Sequence, residues 1–101
     1  MEELNRAILY HLRAMARKGD TVPQMLREII QRLAPAKPHK VTVIKYMRKA
    51  FALRLQQAGP IAGWSSDGTG ELQDSRLNEL IMPEILKNRQ EWDSLDMAPS
   101  A

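Results

Sequence analysis

In residues 41–58 the apolar side chains Ile44, Met47, Phe51, Leu55 and Ala58 fall three or four positions apart, with Val43, Ala50 and Leu53 beside them. An α-helix gathers residues at that spacing onto one face, so the segment buries its apolar groups by becoming helical. A face this broad needs more than one neighbour. The helix is therefore expected to be central, with Phe51, the one phenylalanine, in the core. The same period recurs at Leu4, Ala7, Ile8, Leu12 and Met15, again at Val22, Leu26, Ile29 and Leu33 with Met25 and Ile30 widening the face, and at Leu77, Leu80 and Ile81. The fold class that follows is all-α: a compact bundle of four or five amphipathic helices with one long Gly-rich loop. Its expected core is Leu12, Leu26, Ile29, Ile44, Met47, Phe51, Leu55, Leu77 and Ile81.

The breaks between these stripes carry their own signals. Arg17 and Lys18 precede Gly19, which sets cations against the negative end of a helix dipole and then a residue suited to a left-handed cap. Asp20 or Thr21 can cap the second helix, with Pro23 in its first turn, where a missing backbone donor is harmless. Residues 34–40 hold Pro35 and Pro38 with Lys37 and Lys40 and read as an extended connector. Gly59 and Pro60 are expected to end the central helix. Residues 59–74 hold four of the five glycines and read as a loop long enough to carry specificity. Pro83 is expected to kink the following helix or to open a new one, and the last helical stretch reaches Trp92. Residues 1–93 thus form one domain, and 94–101 a frayed tail or the start of a linker.

A chain of 101 residues suits one core. It has no cysteine, which removes disulfides, thiolate metal sites and a cysteine nucleophile. Glu2 and Glu3 stand where a signal peptide needs bases, and no uncharged apolar run approaches the roughly 20 residues of a membrane span. A soluble, unprocessed cytoplasmic protein with no membrane partner is the expectation.

Charge is the strongest functional signal. Residues 1–54 hold twelve of the fifteen Lys and Arg and four of the twelve acids, a net of +8, while residues 55–101 hold three bases and eight acids, a net of −5. Lys45, Arg48 and Lys49 share a helix face by their spacing, Lys37 and Lys40 precede them, and Arg17 and Lys18 add to the set. The expected function is a small protein-interaction or adaptor module whose basic part meets an acidic patch on a partner, or on the acidic part of another copy. The alternative is a small DNA- or RNA-binding protein of helix-turn-helix type that uses these seven cations as phosphate contacts. Against that motif, the connector is longer than its usual turn of about three or four residues, and Val41, Thr42, Val43 and Ile44 offer little that reads base edges. Internal pairing of Lys45, Arg48 and Lys49 with Glu79, Glu84 or Glu91 would remove the basis of the first reading.

Trp64, in the Gly-rich loop, and Trp92 either close the core or, if exposed, mark a partner site, and Tyr46 beside Lys45 could stack on a base. Trp64 and Asp67 are the candidate loop partner site. Residues 65–76 look like a degenerate EF-hand calcium loop, with Asp67 third, Thr69 fifth, Gly70 sixth and Leu72 eighth. The first position is Ser65 and the twelfth, which must be a bidentate glutamate, is Arg76, so a polar turn is the sufficient reading. His11 and His39 are the only histidines and have no metal-ligand spacing. No nucleophile elbow, phosphate-binding loop or dinucleotide fingerprint occurs, so neither an enzyme nor a cofactor, metal or catalytic residue is expected.

Overall fold

The first helix begins at a cap that the sequence supplies. In the computed structural model, which describes residues 4–94, Asn5 is extended and its side-chain oxygen accepts from the Ala7 backbone N–H at 2.8 Å. Helix α1 runs from there over Arg6–Lys18 and ends at Gly19, whose φ of 94° lets the Asp20 N–H reach back to the Met15 carbonyl. Thr21 caps α2, Val22–Leu33, in a reciprocal box with Gln24, and Pro23 occupies its first turn. The start of α2 and the stop at Gly19 agree with the expectation, while α1 begins at Arg6, behind a cap at Asn5 that the apolar spacing from Leu4 did not mark. The connector follows, and α3 is Lys40–Phe51.

The central helix is shorter than its apolar stripe suggests. At Ala52 the backbone turns left-handed, with φ of 53°, and the Leu53 N–H closes onto the Arg48 carbonyl at 3.1 Å. An alanine in that region costs roughly 1–2 kcal/mol. The turn offsets this by burying both Phe51 and Leu53, which a continuous helix would aim in different directions. Helix α4, Leu55–Ala58, restarts on a new axis and leaves Leu55 61% exposed, so Leu55 is not a core residue. Ile44 is only partly buried, while the other seven expected core residues are buried. Gly59 is right-handed and does not stop the chain; residues Gly59–Gly63 continue as a 3-10 turn.

The Gly-rich segment beyond it is pinned at both ends. Trp64 bridges to Leu72, whose N–H donates to the Gly63 carbonyl at 2.9 Å, and Gly70 lies so close that a Cβ there would stand 2.7 Å from the Gly63 oxygen. Helix α5, Asp74–Lys87, then runs straight through Pro83. Pro83 is exposed, and so is Glu79, four residues back, whose carbonyl loses its helical donor. The break falls instead at Asn88, whose side chain donates to the Ala52 carbonyl at 2.9 Å, and α6, Arg89–Asp93, follows.

Helix α3 is central as expected, touching α1, α2, α4, α6 and the 3-10 turn. Trp92 is fully buried on it, with its ring edge-on to Phe51 at 5.1 Å and its Nε1–H donating to the Ile85 carbonyl at 2.7 Å. Such an aromatic pair adds about 0.5–1.5 kcal/mol beyond its area. The fold is all-α, with six α-helices among the described residues, two of them short. No helix among these residues is long and apolar enough to cross a membrane. Of the expected tail, residues 95–101 lie outside the described residues.

Candidate functional site

Helix α1 carries Arg6, Tyr10 and Arg13 at spacings of four and three, which puts them on one stripe. Helix α3 lies along that stripe: the Asn5 N–H donates to the Tyr46 hydroxyl oxygen at 3.0 Å near the start of α1, and Arg13 reaches the last turn of α3 farther on. Between the two helices lies a groove of about 660 Å³, lined by Arg6, Leu9, Tyr10, Arg13, Arg48 and Lys49 and closed at one end by Ala52. Among the described residues it has four cations in its lining and no acid.

Arg13 is what makes this end of the groove possible. Its side chain is almost fully buried, with Nε donating to the Ala50 carbonyl at 2.7 Å and Nη2 to the Lys49 carbonyl at 3.3 Å. Those oxygens belong to the final turn of α3, where the helix dipole is negative and the intrahelical donors have run out. The guanidinium thus satisfies them and cancels the local negative potential that would repel an anion. Arg48 is fixed beside it, with its Nε donating to the Leu53 carbonyl at 3.2 Å. Tyr10 stands over this surface 59% exposed. Arg6, Tyr10 and Arg13 were not singled out from the sequence, although their four-and-three spacing was there to be read.

The seven expected cations do not act together. Arg48 and Lys49 enter the groove, and Lys45 shares their helix face. Arg17 instead binds α6, with Nε donating to Asp93 Oδ1 at 2.6 Å and Nη2 to the Asp93 carbonyl at 2.9 Å. Lys18 pairs with Asp20 at 3.2 Å, and Lys40 Nζ donates to the Ala62 carbonyl at 2.8 Å. Lys37 stays exposed on the connector.

Part of the charge split closes inside the molecule. Arg27 binds Asp74 through both terminal nitrogens, at 2.8 and 3.2 Å, and Arg17 binds Asp93, so two bases of the first part meet two acids of the second. The hydrogen bond from Arg27, then that from Trp64, holds the Asp74 carboxyl below the ordinary aspartate range, and Arg17 does the same for Asp93. Glu79 pairs with Arg76 on its own helix. Among the described residues, neither Arg48 nor Lys49 pairs with Glu79, Glu84 or Glu91.

The aromatic candidates resolve toward packing. Trp64 is buried, its Nε1–H donates to Asp74 Oδ1 at 2.8 Å, and the Arg27 guanidinium lies 5.2 Å from its ring centre. It therefore presents no ring to a partner, and the paired loop site reduces to Asp67. That carboxylate accepts from the Thr69 N–H at 3.0 Å and hydroxyl at 2.7 Å, which lowers its pKa and makes the loop an Asx turn. Tyr46 is buried too and cannot stack on a base. His11 lies 3.5 Å from Glu28, and His39 precedes α3 in an extended conformation. No group of three or more His, Cys, Asp or Glu among the described residues could hold a metal ion. Comparison with protein-family models, curated proteins and solved structures finds no match to this chain.

Proposed function

We propose that this chain is a small protein-interaction module that takes an acidic segment of a partner protein into the groove between α1 and α3. The observation that carries the reading is the lining of that groove, in which Arg6, Arg13, Arg48 and Lys49 stand with Leu9, Tyr10 and Ala52 and with no acid among the described residues. A segment with carboxylates on its flanks and one apolar anchor answers both features. The cations steer its approach, and the apolar side chains give it area to bury. Of the acids in the second part, Asp74, Asp93 and Glu79 are already engaged within the chain, which leaves fewer of them to answer this groove from a second copy.

One observation supports nucleic acid as a second reading: Tyr10 is an exposed ring among cations, the interleaving that base stacking needs. It ranks lower because a single ring is not a platform. The start of α3 also offers little to a major groove, with Lys40 turned onto the Ala62 carbonyl and Val41 exposed beside it.

Calorimetric titration with a synthetic glutamate-rich amphipathic peptide bearing one leucine stripe, and in parallel with mixed-sequence single- and double-stranded DNA and RNA, tests both readings. The expected result is salt-sensitive binding of the peptide that weakens at least about tenfold in the Arg48→Glu/Lys49→Glu variant. Binding of nucleic acid alone, with a log–log salt slope that the variant reduces, would replace the first reading by the second. Binding of neither would remove both.

A further inference from the structure

A second groove, of about 520 Å³, lies between α4 and the corner joining α5 to α6, lined by Ala52, Arg54, Gln56, Gln57, Lys87, Asn88 and Glu91. Its charges are unspent. Among the described residues Arg54, Lys87 and Glu91 enter no ion pair, whereas Asp74 and Asp93, on the same two helices as Lys87 and Glu91, are both held by arginines.

Its amides are half engaged. Asn88 Nδ2 donates to the Ala52 carbonyl at 2.9 Å and to Gln57 Oε1 at 3.4 Å, and the same Gln57 oxygen accepts the Arg54 backbone N–H at 2.8 Å. The Gln57 side-chain N–H groups and Asn88 Oδ1 have no partner among the described residues. A donor and an acceptor therefore stand side by side at the groove. Leu86, next in the chain to Lys87, adds exposed apolar surface at 51%.

A two-fold contact puts the same patch on both sides, so that patch must supply cation and anion, donor and acceptor, and apolar area at once. This face supplies all of them. A strongly charged partner has little to select here, because two cations and one anion nearly balance. We propose that the face is the two-fold interface of a homodimer, with Leu86 as its apolar contact and Glu91 of each copy facing Arg54 of the other. It abuts the cationic groove at Ala52, which lines both, and the dimer presents two cationic grooves, which raises avidity for a partner that bears two acidic segments.

Sedimentation equilibrium of the full chain, from low micromolar to millimolar, tests the proposal. The mass rises from 11.5 kDa to twice that value with concentration. Leu86→Lys moves the midpoint at least about tenfold upward while the thermal melt of the monomer is unchanged, because the side chain is exposed. Arg54→Glu and Glu91→Arg each weaken the dimer, and an equimolar mixture of the two variants restores it, since in the mixed pair every glutamate meets an arginine. A monomer throughout the range, a dimer indifferent to these changes, or a mixture that stays monomeric would overturn the two-fold assignment.

Discussion

Replacing Arg13 by methionine keeps an unbranched stem in the packed site and removes the guanidinium. Two carbonyls at the end of α3 then lose their donors, Ala50 at 2.7 Å and Lys49 at 3.3 Å. A hydrogen bond to a charged group contributes about 1.5–3 kcal/mol, and the short contact carries most of it here. Two effects then compete. Methionine removes the desolvation cost of a buried cation, yet it leaves the Ala50 carbonyl unsatisfied at a site only 7% exposed, as the burial of Arg13 shows. The second effect wins because the Ala50 and Lys49 backbone oxygens cannot be removed with the charge. The expected net loss is about 2 kcal/mol, which for a domain of this size lowers Tm by roughly 8–16 °C. Urea and thermal unfolding followed by far-UV circular dichroism measure it, with the urea slope unchanged. Arg13→Lys, which keeps the charge but not the fork, falls between the two. A methionine variant within about 0.5 kcal/mol of the parent would refute the view that Arg13 closes the end of α3.

Three further outcomes follow from the packing. Trp92→Ala opens the space against Phe51 and strands the Ile85 carbonyl, so it costs about 3–5 kcal/mol in urea unfolding. Gly70→Ala drives a methyl into the Gly63 oxygen and Ser65 nitrogen, each 2.7 Å away, and costs roughly 1–3 kcal/mol, with a change in Trp64 fluorescence as the loop shifts. Asp74 and Asp93 have lowered pKa values in the fold and return to about 3.9 on unfolding, so the folded state binds fewer protons. Their contribution is present above about pH 4 and lost as pH falls through the folded values, and Asp74→Asn with Asp93→Asn flattens the acid limb of a stability–pH curve.

What was legible in the sequence was local. The caps at Thr21 and Gly19 and the stripes of α1 and α2 depend on residues within one or two turns, and these agree with the structure except that Ala7 is exposed and Leu9 takes its place in the core. The early end of α3 was not legible, because Ala52 takes a left-handed conformation only where Phe51 and Leu53 both find the core. The exposure of Leu55 follows from that turn. Helix α5 passes through Pro83 for a similar reason: the side of the helix that bears the ring was fixed by packing, and it faces water. At the candidate site, the Arg48–Lys49 pair was readable from helical spacing, but Arg13 was not. Its burial depends on where the far end of another helix lands, and the Arg6–Tyr10–Arg13 stripe was masked by the stronger apolar stripe of the same helix.

The central claim is that the groove between α1 and α3 receives an acidic protein segment. Amide chemical-shift mapping of the isotope-labelled chain, titrated with the glutamate-rich peptide, tests it most directly. The account predicts saturable shifts concentrated in residues 6–13 and 48–52 that vanish at high salt. Shifts concentrated in residues 83–91, or none at a large peptide excess, would contradict it.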